Sequence, residues 1–289
     1  MKLLMRAAFL GLAGGVLHGV RADVVTLGSV SDNSLIFSAT GAVSNGAGTV
    51  MLSGANGQVE ARRAAVRFAV ADSIPAGSRI EHVELHLVSS SATTNSQECT
   101  LHRLLASWGE AGSFGAMGQG GGAPAEPGDV TWLHRFYPDV FWSAPGGDFV
   151  SSASAATTVS MDGPSTWVSA QMVSDVQFWL DHPESDFGWL IRGDETLART
   201  NKRFSTREEP SESMRPRLAV QFDACPADLN GDDAVDDADF VLFAVAYNLF
   251  DCADPSMGPT CEADLNGDGV VDDADFVVFV AAYDTLVCS

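Results

Sequence analysis

The sequence predicts a mainly β chain: a jelly-roll β-sandwich with one short helix, followed by a small α-helical module that carries two acidic loops. Three observations predict it. Short alternating apolar runs punctuated by Gly, Asn, Ser and Pro fill the stretch 23–223. Helical spacing occurs in that stretch only around 168–180. A twelve-residue acidic loop is repeated 36 positions apart within the last 65 residues.

At the N-terminus, Lys2 and Arg6 lead into the apolar stretch 7–20, and Val20, Arg21 and Ala22 offer small or apolar residues at the cleavage positions. Residues 1–22 therefore read as a secretory signal peptide cleaved after Ala22. The stretch is short for a membrane anchor, and no later segment approaches the ~20 apolar residues of a transmembrane helix. The expectation is a secreted, extracellular chain.

The segment 23–223 is long enough for one domain. Alternation at 63–70, 82–89, 100–105 and 218–222 predicts strands, and Val173, Val176, Gln177 and Leu180 share one helical face. Residues 109–128, with eight glycines and two prolines, predict a long loop. Many short strands without alternating helices argue for the sandwich.

All six tryptophans lie in this body. An aromatic face stacks on the apolar face of a pyranose, so these are the candidate sugar contacts. Trp132, Tyr137 and Trp142 form the best cluster, because Gly- and Pro-rich surroundings predict surface loops there. Trp167, Trp179 and Trp189 are expected to pack in the core. Arg207 with Glu208 and Glu209 reads as a structural ion pair rather than a binding clamp.

Nothing in the body identifies a catalytic residue. Glu110, Asp129, Asp139, Asp194 and Glu195 are available for glycoside hydrolysis, which needs two carboxylates facing each other. His82, His86, His102, His134 and His182 come without a G-x-S-x-G elbow. His82 and His86 share a strand face but have no third ligand in view. Cys99 is expected to fill the core.

The tail is more specific. CPADLNGDDAVDDADF begins at Cys225 and CEADLNGDGVVDDADF at Cys261. Oxygen-bearing side chains fall at loop positions 1, 3, 5, 9 and 12: Asp228, Asn230, Asp232, Asp236 and Asp239, then Asp264, Asn266, Asp268, Asp272 and Asp275. Position 7 adds the backbone carbonyls of Ala234 and Val270. This alternation suits Ca²⁺, which takes six to eight oxygens at about 2.3–2.6 Å, so two calcium ions are expected. No Cys or His lies inside either loop, which disfavours soft metals. Val235 and Val271 at position 8 are placed for a short β contact between the loops. Position 6 is Gly269 in the second loop but Asp233 in the first, where the sharp turn favours glycine. The first site is therefore expected to bind more weakly.

The runs 240–247 and 276–283 (FVLFAVAY, FVVFVAAY) open just inside helices whose first turns are acidic, as suits a helix N-terminus. They have almost no polar face. A module of about 65 residues has too little interior to bury two such helices on all sides, so part of that surface should meet a partner.

Four tail cysteines allow three connectivities. If the helices pack antiparallel, the start of each repeat lies beside the end of the other, favouring Cys225–Cys288 and Cys252–Cys261. Pairing within a repeat would span a helix of roughly 18 Å, beyond a disulfide's reach. Disulfides agree with export to an oxidising compartment. From Cys225 onward there are 15 acids and no Lys or Arg, whereas 23–224 carries 23 acids against 13 bases. Two calcium ions would partly neutralise the tail, and a chain this acidic is not expected to bind nucleic acid.

These paired loop-helix repeats, with Asp at position 12, resemble a dockerin of the Cys-bounded kind over 225–289. The resemblance implies two calcium ions and a docking partner, either a cohesin or another surface receptor. The chain departs from it in having apolar residues where cellulosomal dockerins carry polar and basic ones. The body, over 32–223, resembles DNRLRE-domain proteins, with Arg67, Trp108, Glu110, Trp132, Trp179, Gly188, Arg207, Glu208, Arg215 and Pro216 as landmarks. That resemblance implies a jelly roll of the carbohydrate-binding-module kind, hence a noncatalytic binding or structural role with a polysaccharide as the expected ligand. The alternatives are a structural surface protein that binds no glycan, or a polysaccharide-degrading enzyme anchored by the tail.

Overall fold

A computed structural model describes residues 23–90, 96–116, 119–232, 234–257 and 261–283; the expected signal peptide lies outside them. The described chain is mainly β, with antiparallel sheets and three helices. Among the described residues no helix is long and apolar enough to cross a membrane.

The largest sheet runs Asp23–Gly28, Arg217–Asp223, Arg79–Ser90, Lys202–Ser205, Val50–Ala55, Ala61–Arg67, Trp189–Arg192, Gln97–Arg103, Ala155–Val159. Gly163–Val168 adds to Arg79–Ser90, and Ser31–Ile36 to Ala61–Arg67. The strand Val50–Ala55 joins two halves: Val50 to Ser53 pair with Ser205 to Lys202, then Gly54 and Ala55 pair with Arg62 and Ala61. The crossover happens at Gly54, whose φ is +109°. A Cβ there would sit 2.9 Å from the backbone of Thr200 and Asn201, so only glycine fits.

Period-2 alternation points Val83, Leu85 and Leu87 inward from Arg79–Ser90. A register shift opposite Gln221 and Phe222 lets Ile80, three residues before Val83, face the core as well. Both halves contribute to one apolar cluster: Val66, Leu101, Trp189 and Ile191 meet Leu85, Leu87, Trp167, Phe204, Leu218 and Val220. The helix α1 (Ala170–Asp181) adds Met172, Val176, Trp179 and Leu180. Its N-cap, Ser169, accepts a hydrogen bond from the Met172 N–H, satisfying one donor that the helix itself cannot.

Trp167, Trp179 and Trp189 are fully buried, as expected. Trp189 donates from Nε1 to Asp175 Oδ2 at 2.8 Å and meets Trp179 edge-on at 4.5 Å, and Trp167 Nε1 donates to the Cys99 carbonyl. Cys99 is free and fully buried, and burial pushes its thiol up to about 12, so it packs and does not react at neutral pH.

Asp186 gives the body a pH dependence of definite sign. Its Oδ1 is buried with no hydrogen-bond partner among the described residues, and burial, the largest cause, pushes its carboxyl from 3.8 up to about 6. The folded state therefore keeps a proton that the unfolded chain releases near pH 4. Its contribution to stability is complete below that pH and is lost as pH rises through about 6. At pH 7 an ionised Asp186 costs at most about 2–3 kcal/mol. Urea unfolding followed by tryptophan fluorescence should show Asp186→Asn gaining on the wild type between pH 4 and pH 7. A constant difference across that range would contradict it.

Candidate functional site: the paired acidic loops

In the first loop, the Asp228 Oδ1 accepts from the backbone N–H groups of Gly231 and Asp232 at 2.7 and 3.1 Å. In the second, the Asp264 Oδ1 does the same for Gly267 and Asp268 at 2.8 and 3.1 Å. Each acid thus folds its loop back around its own side chain. The turn is closed by Gly231 and Gly267 with φ of +75° and +76°, at loop position 4. The spacing of the oxygen-bearing residues alone gives these two glycines no role.

Position 12 does more than end the loop. The carboxylates of Asp239 and Asp275 are fully buried. Asp239 accepts from the N–H of Asn230 and of Asp236, both at 2.9 Å; Asp275 accepts from Asn266 at 3.0 Å and Asp272 at 2.9 Å. Each acid ties loop positions 3 and 9 together and forms half of a capping box on the helix that follows, as documented for α2 (Asp237–Leu249) with Asp236 as N-cap. Asp232 and Asp268 hold the N–H groups of Ala234 and Val270; Asp236 and Asp272 hold those of Ala238 and Ala274.

One carboxylate oxygen from each of Asp228, Asp232 and Asp239 lies within 4.8 Å of the other two. Oxygens bound to one Ca²⁺ at about 2.3–2.6 Å are separated by up to roughly 5 Å, so this spacing fits that ion. The donor set, all oxygen, fits it too. Cys252 and Cys261 also approach Asp264, but they are joined to each other and offer no thiolate.

The helices α2 and α3 (Asp273–Tyr283) are antiparallel. Tyr247 near the end of α2 donates to Asp273 at the start of α3, and Tyr283 at the end of α3 donates to Asp237 at the start of α2, both at 2.5 Å. Between these ends Phe243 stacks on Phe279 at 5.0 Å. The core repeats the 36-residue period: Ala227 with Ala263, Val235 with Val271, Phe243 with Phe279. This packing agrees with the disulfide Cys252–Cys261, whose Cα atoms are 5.4 Å apart. Cys225 is disulfide-bonded as well, but Cys288 lies outside the described residues.

The expected contact between the two loops needs correction. Val235 and Val271 are buried in the core of the module, and the β-bridge of the second loop runs from Val270 to Asp251, just past α2, with Val271 N–H donating to the Phe250 carbonyl. The apolar side chain at position 8 is accounted for by that core.

Gly269 has a φ of +94°, and its N–H donates to Asp264 Oδ2 at 2.9 Å. Its counterpart Asp233 lies outside the described residues. A non-glycine residue in this region of φ costs of order 1–2 kcal/mol. On the expectation that both loops bind calcium, Gly269→Asp should weaken binding by the second loop about five- to thirtyfold, towards that of the first. Calorimetry showing unchanged affinity would remove the glycine argument.

In the body, Trp132 and Trp142 are only 7% and 6% exposed. Arg63 lies over the Trp132 ring at 4.8 Å, Phe37 meets its edge at 5.7 Å, and the Trp142 Nε1 donates to the Thr131 carbonyl. This corrects their placement as stacking platforms on surface loops: neither offers an open face. Arg63 is fixed in turn by both oxygens of Glu195 at 2.6 and 2.9 Å. Trp132→Ala is expected to destabilise the body by about 3–5 kcal/mol, read as a lowered urea midpoint. Tyr137 is half-buried against the His134 ring, and the exposed aromatic beside them is Phe141, at 60%, which the sequence reading passed over.

Asp139 is exposed, and several of the remaining candidates are held in structural bonds. Asp129 is fully buried and accepts from Ala111 and Glu126 N–H groups, Asp194 accepts from Thr196, and Arg207 pairs with Glu110 and Glu208 at 2.9 and 3.2 Å. Glu84 stands between His82 and His86, 3.0 and 3.1 Å from them, and their hydrogen bonds hold its carboxyl below the usual range. No family model matches the sequence, and no curated protein matches it.

Proposed function

We propose that this is a secreted, noncatalytic protein that attaches to an extracellular or cell-surface partner through a dockerin-like tail binding two calcium ions. Its body is a jelly-roll β-sandwich of the DNRLRE kind. The observation that carries the reading is the reciprocal fold of the tail. Two copies of one acidic loop each bury a position-12 aspartate, and they support antiparallel helices whose outer residues stay in solvent. Phe240, Val241, Leu242, Val245, Phe276, Val277 and Val280 are 40–68% exposed. An apolar surface of this kind marks an interaction site more often than a bare face.

A second reading concerns the body alone. Burial of Trp132 and Trp142 favours a structural role over polysaccharide binding, which would rest on Tyr137 and Phe141. Glycan-array binding lost in Phe141→Ala would restore the carbohydrate-binding reading. For the tail, metal analysis of the full chain after calcium loading and desalting should show two ions fewer in Asp239→Ala/Asp275→Ala than in the wild type. Equal calcium in both would end the proposal.

A further inference from the structure

The body holds a second group of carboxylates that no role above requires. Asp32 lies on the strand Ser31–Ile36, Glu110 follows Gln97–Arg103, and Glu208 follows Lys202–Ser205. One carboxylate oxygen from each lies within 4.8 Å of the other two. Asp32 is fully buried, and its Oδ2 accepts from Ser29 Oγ and the Arg207 N–H, both at 2.9 Å. Glu110 accepts from the Asp32 N–H at 3.2 Å with Oε2, and from Arg207 Nη2 and Nε at 2.9 and 3.1 Å with Oε1. Glu208 Oε1 is 3.2 Å from Arg207 Nε. That leaves Asp32 Oδ1 and Glu208 Oε2, both buried, with no hydrogen-bond partner among the described residues.

Three carboxylates face one guanidinium, so with all three ionised two negative charges are unmatched, and burial together with Glu208 and Glu110 pushes the Asp32 carboxyl up to about 7. A buried anion without a partner is costly, and either a proton or a cation must compensate it. A proton shared between two of these acids would make a short O–H···O bond and give the orphaned oxygens partners. Neither Asp32 Oδ1 nor Glu208 Oε2 makes such a bond. An oxygen cage of this width, with no nitrogen or sulfur in it, suits a hard cation of calcium size.

We propose that Asp32, Glu110 and Glu208 form a third divalent-cation site, of calcium chemistry, within the body. It pins the N-terminal strand to two connections 78 and 176 residues further along the chain. The body as well as the tail is then folded by extracellular calcium. The proposal does not depend on the tail loops and can be tested with them disabled.

All six tryptophans belong to the body, so their fluorescence reports this domain alone. In full-length Asp239→Ala/Asp275→Ala, calcium at about a hundredfold over Kd should raise the tryptophan-detected melting midpoint by roughly 5–10 °C. The same chain should retain one calcium after desalting, and adding Glu208→Gln should remove it. Should Glu208→Gln not fold, terbium titrated into the tail-disabled chain decides. Luminescence sensitised by tryptophan, from Trp108 two residues before Glu110, supports the site. A melting midpoint insensitive to calcium, with no ion retained and no sensitised terbium emission, overturns it and leaves protonation as the means of neutralising the cluster.

Discussion

Replacing Asp275 by alanine is expected to unfold the C-terminal module and abolish the calcium binding proposed for its second loop. The carboxylate is fully buried and accepts two backbone hydrogen bonds, from Asn266 and Asp272. Hydrogen bonds to a charged group contribute about 1.5–3 kcal/mol each, so the direct loss is about 3–6 kcal/mol. A module of this size has about 3–5 kcal/mol in total from its apolar core. The substitution therefore removes as much as the core supplies, before the loss of the proposed metal ligand is counted. Phe279, on the helix that Asp275 helps to cap, is the stacking partner of Phe243, so losing α3 exposes α2. Far-UV circular dichroism should show the helical signal of both tail helices disappear, while tryptophan fluorescence of the body is unchanged. A variant that keeps its helicity in calcium would mean that position 12 is dispensable. Chelation of the wild type should push in the same direction, because the tail's 15 acids have no Lys or Arg among them to offset their repulsion.

Much of this was legible in the sequence because the chemistry is periodic. Oxygen-bearing side chains fall at loop positions 1, 3, 5, 9 and 12, and the 36-residue copy fixes the register, so the loop positions could be assigned one by one. The helix expected over 168–180 is Ala170–Asp181, and the runs at 82–89 and 218–222 are the cores of Arg79–Ser90 and Arg217–Asp223. Strands such as Lys202–Ser205 and Ala155–Val159 were missed, since a short strand between loops has no alternation long enough to stand out. The reciprocal Tyr247–Asp273 and Tyr283–Asp237 bonds were hidden because they join different repeats.

The tryptophan placement failed for a physical reason. Glycine and proline nearby suggest a surface loop, yet Gly146 is present because the backbone must pass close to the Trp132 ring. A Cβ there would lie 2.9 Å from it, and the φ of +92° suits glycine. The same composition that marks a loop also marks a tight contact. The Asp32, Glu110 and Glu208 cluster was equally invisible, because its members are scattered along the chain. Only Arg207 and Glu208 are neighbours in sequence, and they read as a local ion pair.

On the proposed docking role of the tail, placing a charge on the outer helix face should abolish attachment and leave calcium binding by the loops unchanged. Val241 and Val277, 36 residues apart, are 60% and 68% exposed and are not part of the module's buried core. Because the two occupy equivalent places, a single substitution leaves one copy of the surface unchanged, and the informative variant is Val241→Asp/Val277→Asp. Both positions face solvent and lie outside the module's buried core, so the helices should keep their packing. At an interface, each substitution removes about 1.5–3 kcal/mol of apolar burial and buries a carboxylate without a partner. Two such changes predict at least a hundredfold weaker attachment. The measurement is retention of the purified full chain on native envelope in calcium, with release by chelator. The double variant should wash through while binding as many calcium ions and keeping the same helicity as the wild type. Retention equal to the wild type would move the docking surface off these helices, and retention that persists in chelator would separate attachment from calcium altogether.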